Sequence, residues 1–179
     1  MTQTAKIYGD SLYDLAAEAS ITESIFHQAQ EVETLLRENP DYVRLLSEPS
    51  LKLEERLALL DQAFGEEIEV YLLNFMKLLC ERGLLGEIGG CLQEYRLRYY
   101  KDNHIAQATV TSAIALTETQ RDALRAQLEK ISGKQILLSE KVQPSVIGGL
   151  RIEMEGKLIN GTVAGRLSEL HKKIKENVT

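Results

Sequence analysis

The apolar residues of this 179-residue chain change their spacing once, near residue 104, and that change limits what the chain can fold into. Before it, apolar side chains recur every three or four positions, the period of a helix with one buried face. After it they alternate with polar ones, the period of a strand with one buried face.

In the first stretch Tyr8, Leu12, Leu15, Ala16 and Ala19 share a face, with Lys6, Asp10, Asp14 and Glu18 opposite. Ile25, Ala29, Val32 and Leu36 follow at steps of four, three and four, and Pro40 closes this second helix from just beyond its end. A short third helix is predicted over residues 41–46, stopping before Pro49, and a fourth over 51–64, preceded by Ser50 and ended by Gly65. Residues 66–81 and 84–101 give a fifth and sixth, separated at Gly83, the residue type that ends helices in the left-handed conformation. Six helices joined by short turns imply a compact bundle.

In the second stretch Ala106, Ala108 and Val110 alternate with Gln107, Thr109 and Thr111. Thr117 and Gln120 have the spacing of a capping box, Leu124, Leu128 and Ile131 supply the stripe of the helix that follows, and Gly133 is its stop. Residues 135–142 read as a second strand. Leu150, Ile152 and Met154 alternate with Arg151, Glu153 and Glu155, and Gly156 turns the chain into residues 157–163, which gives a hairpin. Val163, Leu167, Leu170 and Ile174 then mark a last helix. The fold class read from the sequence is mainly α: a six-helix bundle over residues 1–104, followed by a small α+β domain over 105–179 whose sheet is covered by two helices.

Charge divides the same way. Residues 1–104 carry 19 Asp and Glu against 10 Lys and Arg, whereas residues 105–179 carry 8 against 11, so the two parts are expected to meet different partners. The net charge of −6 argues against a dedicated nucleic-acid binder, which needs a basic surface. The most apolar window, residues 70–92, is broken by Lys77, Glu81, Arg82 and Glu87, so no membrane insertion is expected. The acidic start, with Asp10, Asp14 and Glu18 against Lys6, fits neither a secretory signal nor a transit peptide. Cys80 and Cys91 lack metal or disulfide spacing and are expected to be ordinary buried or half-buried thiols of a reducing compartment.

No catalytic, cofactor-binding or metal-binding residues emerge. Gly161 and Gly165 are separated by three residues, where a phosphate loop needs four followed by Lys, so Gly161 is expected to serve a strand-to-helix turn. Gly148 and Gly149 precede a strand and are expected to form a bend where backbone meets backbone. With Gly83 and Gly156, these are the structural turn residues. His27, His104 and His171 lie in separate elements without ligand spacing. Glu54, Glu55, Glu66 and Glu67 are expected at the beginnings of helices, where acids favour the positive end of the dipole. What remains is surface: amphipathic helices able to accept another helix in a groove.

The stretch Pro144-Ser-Val-Ile-Gly-Gly-Leu-Arg-Ile-Glu-Met-Glu-Gly156-Lys-Leu-Ile-Asn-Gly-Thr-Val-Ala-Gly-Arg-Leu167 closely resembles the signature of the delta subunit of F-type ATP synthases, the family of the oligomycin-sensitivity-conferring protein. The amino-terminal half agrees: Ala5-Lys6-Ile7-Tyr8 with Leu12, Leu15 and Ala16 resembles the family's first helix, Leu46-Ser-Glu-Pro49 with Lys52 its mid-bundle break, and Asn74-Phe-Met-Lys-Leu-Leu-Cys-Glu81-Arg-Gly83-Leu its fifth helix. Three positions depart: Gly9 stands where Ala is usual, Arg82 where Asn is usual, and Leu84 where Arg is common. Gly9 is expected to weaken its helix by about 0.5–1 kcal/mol relative to Ala.

The resemblance implies a non-catalytic stator subunit of a bacterial F-type ATP synthase, without cofactor, linking the catalytic head to the peripheral stalk so that rotor torque is resisted. It implies an amino-terminal domain that binds the amino-terminal helices of alpha subunits and a carboxyl-terminal domain that binds the carboxyl-terminal region of b subunits. It also implies a monomer in isolation and a peripheral location at the cytoplasmic face of the cell membrane. The family's alpha-binding groove lies between the first and fifth helices, which matches Tyr8 and Ser11 on one wall and Asn74, Lys77 and Leu78 on the other. The rival reading is a small soluble ligand-sensing regulator or enzyme with a helical domain.

Overall fold

A computed structural model describes residues 2–162 except Pro49 and Ile147. The predicted last helix, with Val163, Leu167, Leu170, Ile174, Gly165 and His171, lies outside the described residues. The chain divides into two compact units, one over Met1–Tyr100 and one beginning at Lys101. The described residues are mainly helical, with a small four-stranded sheet toward the carboxyl end.

Helix α1 (Gln3–Glu18) starts where the Thr2 hydroxyl accepts a hydrogen bond from the Ala5 amide at 3.2 Å, a side-chain cap for an otherwise orphan donor. Its buried face is Ala5, Gly9, Leu12, Tyr13 and Ala16, rotated from the predicted face, so that Leu15 is half exposed. The rotation follows from Gly9. A Cβ there would lie 2.4 Å from the Cys91 carbonyl oxygen, so the bare glycine backbone lets α1 approach its neighbour closely. Gly9 is therefore a packing position, and the expectation that it merely weakens the helix is corrected.

Helix α2 (Thr22–Glu38) buries Ile25, Phe26, Ala29, Val32 and Leu36, and α3 (Pro40–Leu46) begins with proline at the first helical position, where its missing amide costs nothing. Helix α4 (Leu53–Phe64) starts two residues later than predicted, because Lys52 is extended and its amide is held by the Glu55 carboxylate at 3.3 Å. Helix α5 (Val70–Glu81) starts four residues later than predicted. Residues 65–68 form a turn in which the Ile68 amide still reaches the Phe64 carbonyl, so Glu66 and Glu67 do not open a helix as expected. Gly83 adopts φ +67° after α5, and a 3-10 turn (Leu85–Glu87) precedes α6 (Ile88–Asp102), where one helix from residue 84 was predicted.

The core of this unit is built from large side chains. Tyr95, Leu12, Ile25, Leu46, Leu60, Leu72, Met76 and Leu79 are fully buried, and the Tyr95 hydroxyl donates to the Thr22 carbonyl at 2.9 Å, which satisfies its one polar atom. Phe26 stacks on Tyr99 at 4.2 Å between ring centroids, and Tyr13 meets Tyr95 edge-on at 5.3 Å.

In the second unit, β1 (Ile105–Ser112), α7 (Glu118–Ser132), β2 (Gln135–Val142), β3 (Leu150–Met154) and β4 (Lys157–Asn160) form a sheet in the order β2-β1-β3-β4. Strands β1 and β2 are parallel, from Ile105 opposite Gln135 to Ser112 opposite Val142, with α7 as their crossover; the remaining pairs are antiparallel. The capping box forms as predicted, with the Thr117 hydroxyl accepting from the Gln120 amide and the Gln120 side chain accepting from the Thr117 amide. Gly133 ends α7 at φ +68°. Leu128 of α7 packs with Ala106, Ala108, Val110, Ile136 and Ile152 of the sheet.

Candidate functional site

Helix α5 is too apolar for one buried stripe. Nine of its twelve residues, Val70-Tyr-Leu-Leu-Asn-Phe-Met-Lys-Leu-Leu-Cys-Glu81, are apolar or aromatic, and only Leu72, Leu73, Phe75, Met76, Leu79 and Cys80 are buried in the core. Tyr71 and Leu78, seven positions apart, therefore line up on a second face. Helix α1 repeats the arrangement with Ile7, Ser11 and Leu15 at steps of four.

These two stripes face one another across a groove of about 370 Å³. Its walls are Ile7, Tyr8, Ser11, Leu12 and Leu15 from α1, and Tyr71, Asn74, Phe75 and Leu78 from α5. The surface is largely hydrocarbon. Ile7 is 57% exposed and Leu15 49%, although both could be covered by a rotation of the helix if the core had room for them. The Ser11 hydroxyl is occupied locally, donating to the Ile7 carbonyl at 2.8 Å, so it presents a small, hydrogen-bonded floor.

Four of the five residues matched by resemblance thus line this one groove: Tyr8 and Ser11 on α1, Asn74 and Leu78 on α5. Lys77 does not. One position round α5, it turns toward α4 and holds the Asp61 carboxylate at 2.5 Å. Ile7, Leu12, Leu15, Tyr71 and Phe75 are groove residues that sequence reasoning missed; the usable signal was the surplus of apolar residues in α5 over one stripe.

The two helices run in opposite directions along the groove. At one end, Glu69, just before α5, accepts from the Ser24 hydroxyl at 3.0 Å and donates its amide to the Gln28 side chain at 2.7 Å, which ties it to the first turns of α2, the helix that follows α1. At the other end the Thr2 hydroxyl, before α1, donates to Glu87, beyond the end of α5, at 2.6 Å. Leu15 and Tyr71 therefore share one end, Ile7 and Leu78 the other.

Of the turn glycines, Gly149 has φ +82° and lies so close to the Gly161 carbonyl that a Cβ would stand 2.3 Å from it, while Gly156 turns the β3–β4 hairpin at φ +75°. The Gly161 amide donates to the Leu150 carbonyl at 2.9 Å, and Gly148 lies in the bend before β3. Near Gly149 the second unit has its own apolar depression, lined by Ile114, Leu116, Ala123, Leu124 and Leu150. Burial raises the thiol of Cys80, and it pushes that of Cys91 up to about 11, so both are poor nucleophiles. No helix among the described residues is long and apolar enough to cross a membrane.

Comparison with known proteins gives one answer. The family model of the ATP synthase delta (OSCP) subunit matches residues 4–174. ATP synthase subunit delta of Prochlorococcus marinus subsp. pastoris is 31% identical over 164 residues, 91% of each chain. The subunit of the same name from Halalkalibacterium halodurans is 30% identical over 171 residues, covering 95% of this chain and 93% of its own. A chain of the Toxoplasma gondii mitochondrial ATP synthase hexamer has the same fold, with a TM-score of 0.73 over 97% of this chain and 98% of its own, at 14% identity. The ligand-sensing regulator finds no support among these matches.

Proposed function

The chain belongs to the ATP synthase delta (OSCP) subunit family, non-catalytic stator components of F-type ATP synthases, and on that premise we propose how its two units divide the work. The helical unit acts as a six-helix bundle that binds the amino-terminal helices of alpha subunits in the groove between α1 and α5. The second unit binds the carboxyl-terminal region of the b subunits; its apolar depression around Ile114 and Leu124 offers apolar surface for a helix. The assembled subunit sits at the cytoplasmic face of the cell membrane, and as a link between head and stalk it resists the torque of the rotor.

The observation that carries this reading is the groove itself, two antiparallel helices presenting unburied apolar residues at helical spacing. A helix laid between them would cover anchors at steps of three and four on both walls. A tight link needs such a buried apolar centre, because exposed ion pairs contribute little.

Titration of the purified protein with a peptide from the amino terminus of the same organism's alpha subunit tests it. One-to-one binding is expected, weakened at least about tenfold by Ser11→Asp, which places a charge where a helix would bury it. Folded wild-type protein that ignores the peptide would overturn the reading.

A further inference from the structure

The groove is apolar along its length but its ends differ in charge. Glu18 closes α1 one turn beyond Leu15 and seven residues from Ser11, on the groove side of the helix. Glu66 and Glu67 lie exposed in the turn that leads into α5, and Glu69 follows them. Residues 15–30 and 62–76, which build this end, contain no Lys or Arg. At the other end Arg82 caps α5 one turn beyond Leu78 and Glu81 precedes it, while Lys6 lies in the first turns of α1 and Glu87 holds the Thr2 hydroxyl, so two cations stand against two acids there.

Resting on the docking reading above, we infer that the acidic rim of Glu18, Glu66 and Glu67 orients the helix in the groove, and that its partner is an amphipathic helix whose cationic end lies against Leu15 and Tyr71. The apolar walls alone cannot choose a direction, since steps of three and four read alike from either end. Charge can. The reversed helix would leave its Lys or Arg residues beside Arg82 and leave the glutamates facing one another without a cation.

The experiment uses the full 15N-labelled chain and two synthetic peptides that copy the apolar stripe of the same organism's alpha amino-terminal helix. Each carries a Lys pair and a nitroxide at one end, the amino end in the first peptide and the carboxyl end in the second. In both complexes the nitroxide should broaden the amide signals of Leu15, Glu18 and Tyr71 more than those of Ile7 and Leu78. The Glu18→Gln, Glu67→Gln double variant should bind about threefold to tenfold more weakly and lose most of its salt dependence. Stronger broadening at Ile7 and Leu78 with either peptide would overturn the orientation and leave the groove reading standing. Broadening nowhere in the groove would overturn the groove reading, and the orientation with it.

Discussion

All seven tyrosines and all three phenylalanines of the chain lie within its first hundred residues, and the second unit has none. The helical unit is closed by rings and long aliphatic side chains such as Tyr95, Phe26, Leu72 and Met76, whereas the sheet unit packs two alanines and a valine of β1 under Leu128, Ile136 and Ile152. Large residues in well-matched positions hold helices in one arrangement, and a groove between two of those helices keeps its shape before anything binds. A sheet closed by alanines brings α7 close, and its register and crossover, not bulk, define the unit.

The widest separation between the two cores should come from changing volume in opposite directions. Leu72→Ala removes a fully buried side chain from α5 and should destabilise the helical unit by about 2–5 kcal/mol. Ala108→Leu adds volume where Leu128 and Ile152 leave none and should destabilise the sheet unit by about 1–3 kcal/mol. Urea unfolding followed by tyrosine fluorescence reports on the helical unit alone, since every tyrosine belongs to it. The first variant should shift that transition and the second should leave it in place; equal shifts would show that the units unfold together.

Alkaline pH should act on the helical unit in part through Cys91, which is fully buried in α6 with its pKa pushed up to about 11 from 9.0 by burial first and by Glu87 second, alongside Cys80, Tyr42, Tyr95 and Tyr99, whose pKa values burial also raises. A raised pKa means that the folded state keeps a proton the unfolded chain releases. The contribution is complete below about pH 9 and lost as pH rises through about 11, amounting to about 3 kcal/mol. Tyrosine-detected stability of Cys91→Ala should therefore depend less steeply on pH over that window. Identical slopes would mean that Cys91 titrates as it does when unfolded.

A glycine in each unit sharpens the contrast. Gly9→Ala replaces a poor helix former by the best one, a gain of about 1 kcal/mol in an open helix, yet its methyl would meet the Cys91 carbonyl at 2.4 Å. Net destabilisation of about 1–2 kcal/mol is expected, with weaker peptide binding because α1 must move. Gly149→Ala meets the Gly161 carbonyl and also strains a φ of +82°, and should cost the sheet unit about 1–3 kcal/mol while leaving peptide affinity unchanged. A Gly9→Ala variant more stable than wild type would show that α1 and α6 can separate freely.

These positions also mark where sequence reading ends. The periods, the Gly83 and Gly133 stops, the Thr117 cap and the Gly156 hairpin were legible because each rests on residues close in the chain. The parallel pairing of β1 with β2 was not read, since alternation specifies a buried face and not a partner. The surplus of apolar residues in α5 hints at a second face, but which two helices wall the groove was legible only through family resemblance. Read by period alone, Tyr8, Leu12, Leu15 and Ala16 form one stripe, and it takes the approach of Cys91 to Gly9 to turn half of that stripe outward. The late start of α5 has the same character: Gly65 spoils the continuity, and nothing local distinguishes Glu66 and Glu67 in a turn from acids in a first helical turn.

The smallest effect tests the edge of the site. Resemblance places Lys77 on the groove wall beside Asn74 and Leu78, while the structure sets its ammonium on the Asp61 carboxylate of α4, with the two side chains 24% and 51% exposed. A partly exposed pair of this kind contributes about 0.5 kcal/mol, since solvent screens it and two long side chains are held still. Lys77→Ala should therefore lower the urea midpoint only slightly, and it should leave the affinity for the alpha peptide within about twofold, because the lost cation faces α4. Leu78→Ala, one residue on, removes a groove anchor and should weaken the same peptide several-fold with a comparably small effect on stability. If the two variants weakened the peptide equally, Lys77 would have to leave Asp61 on binding, and the wall of the groove would extend round α5 toward α4.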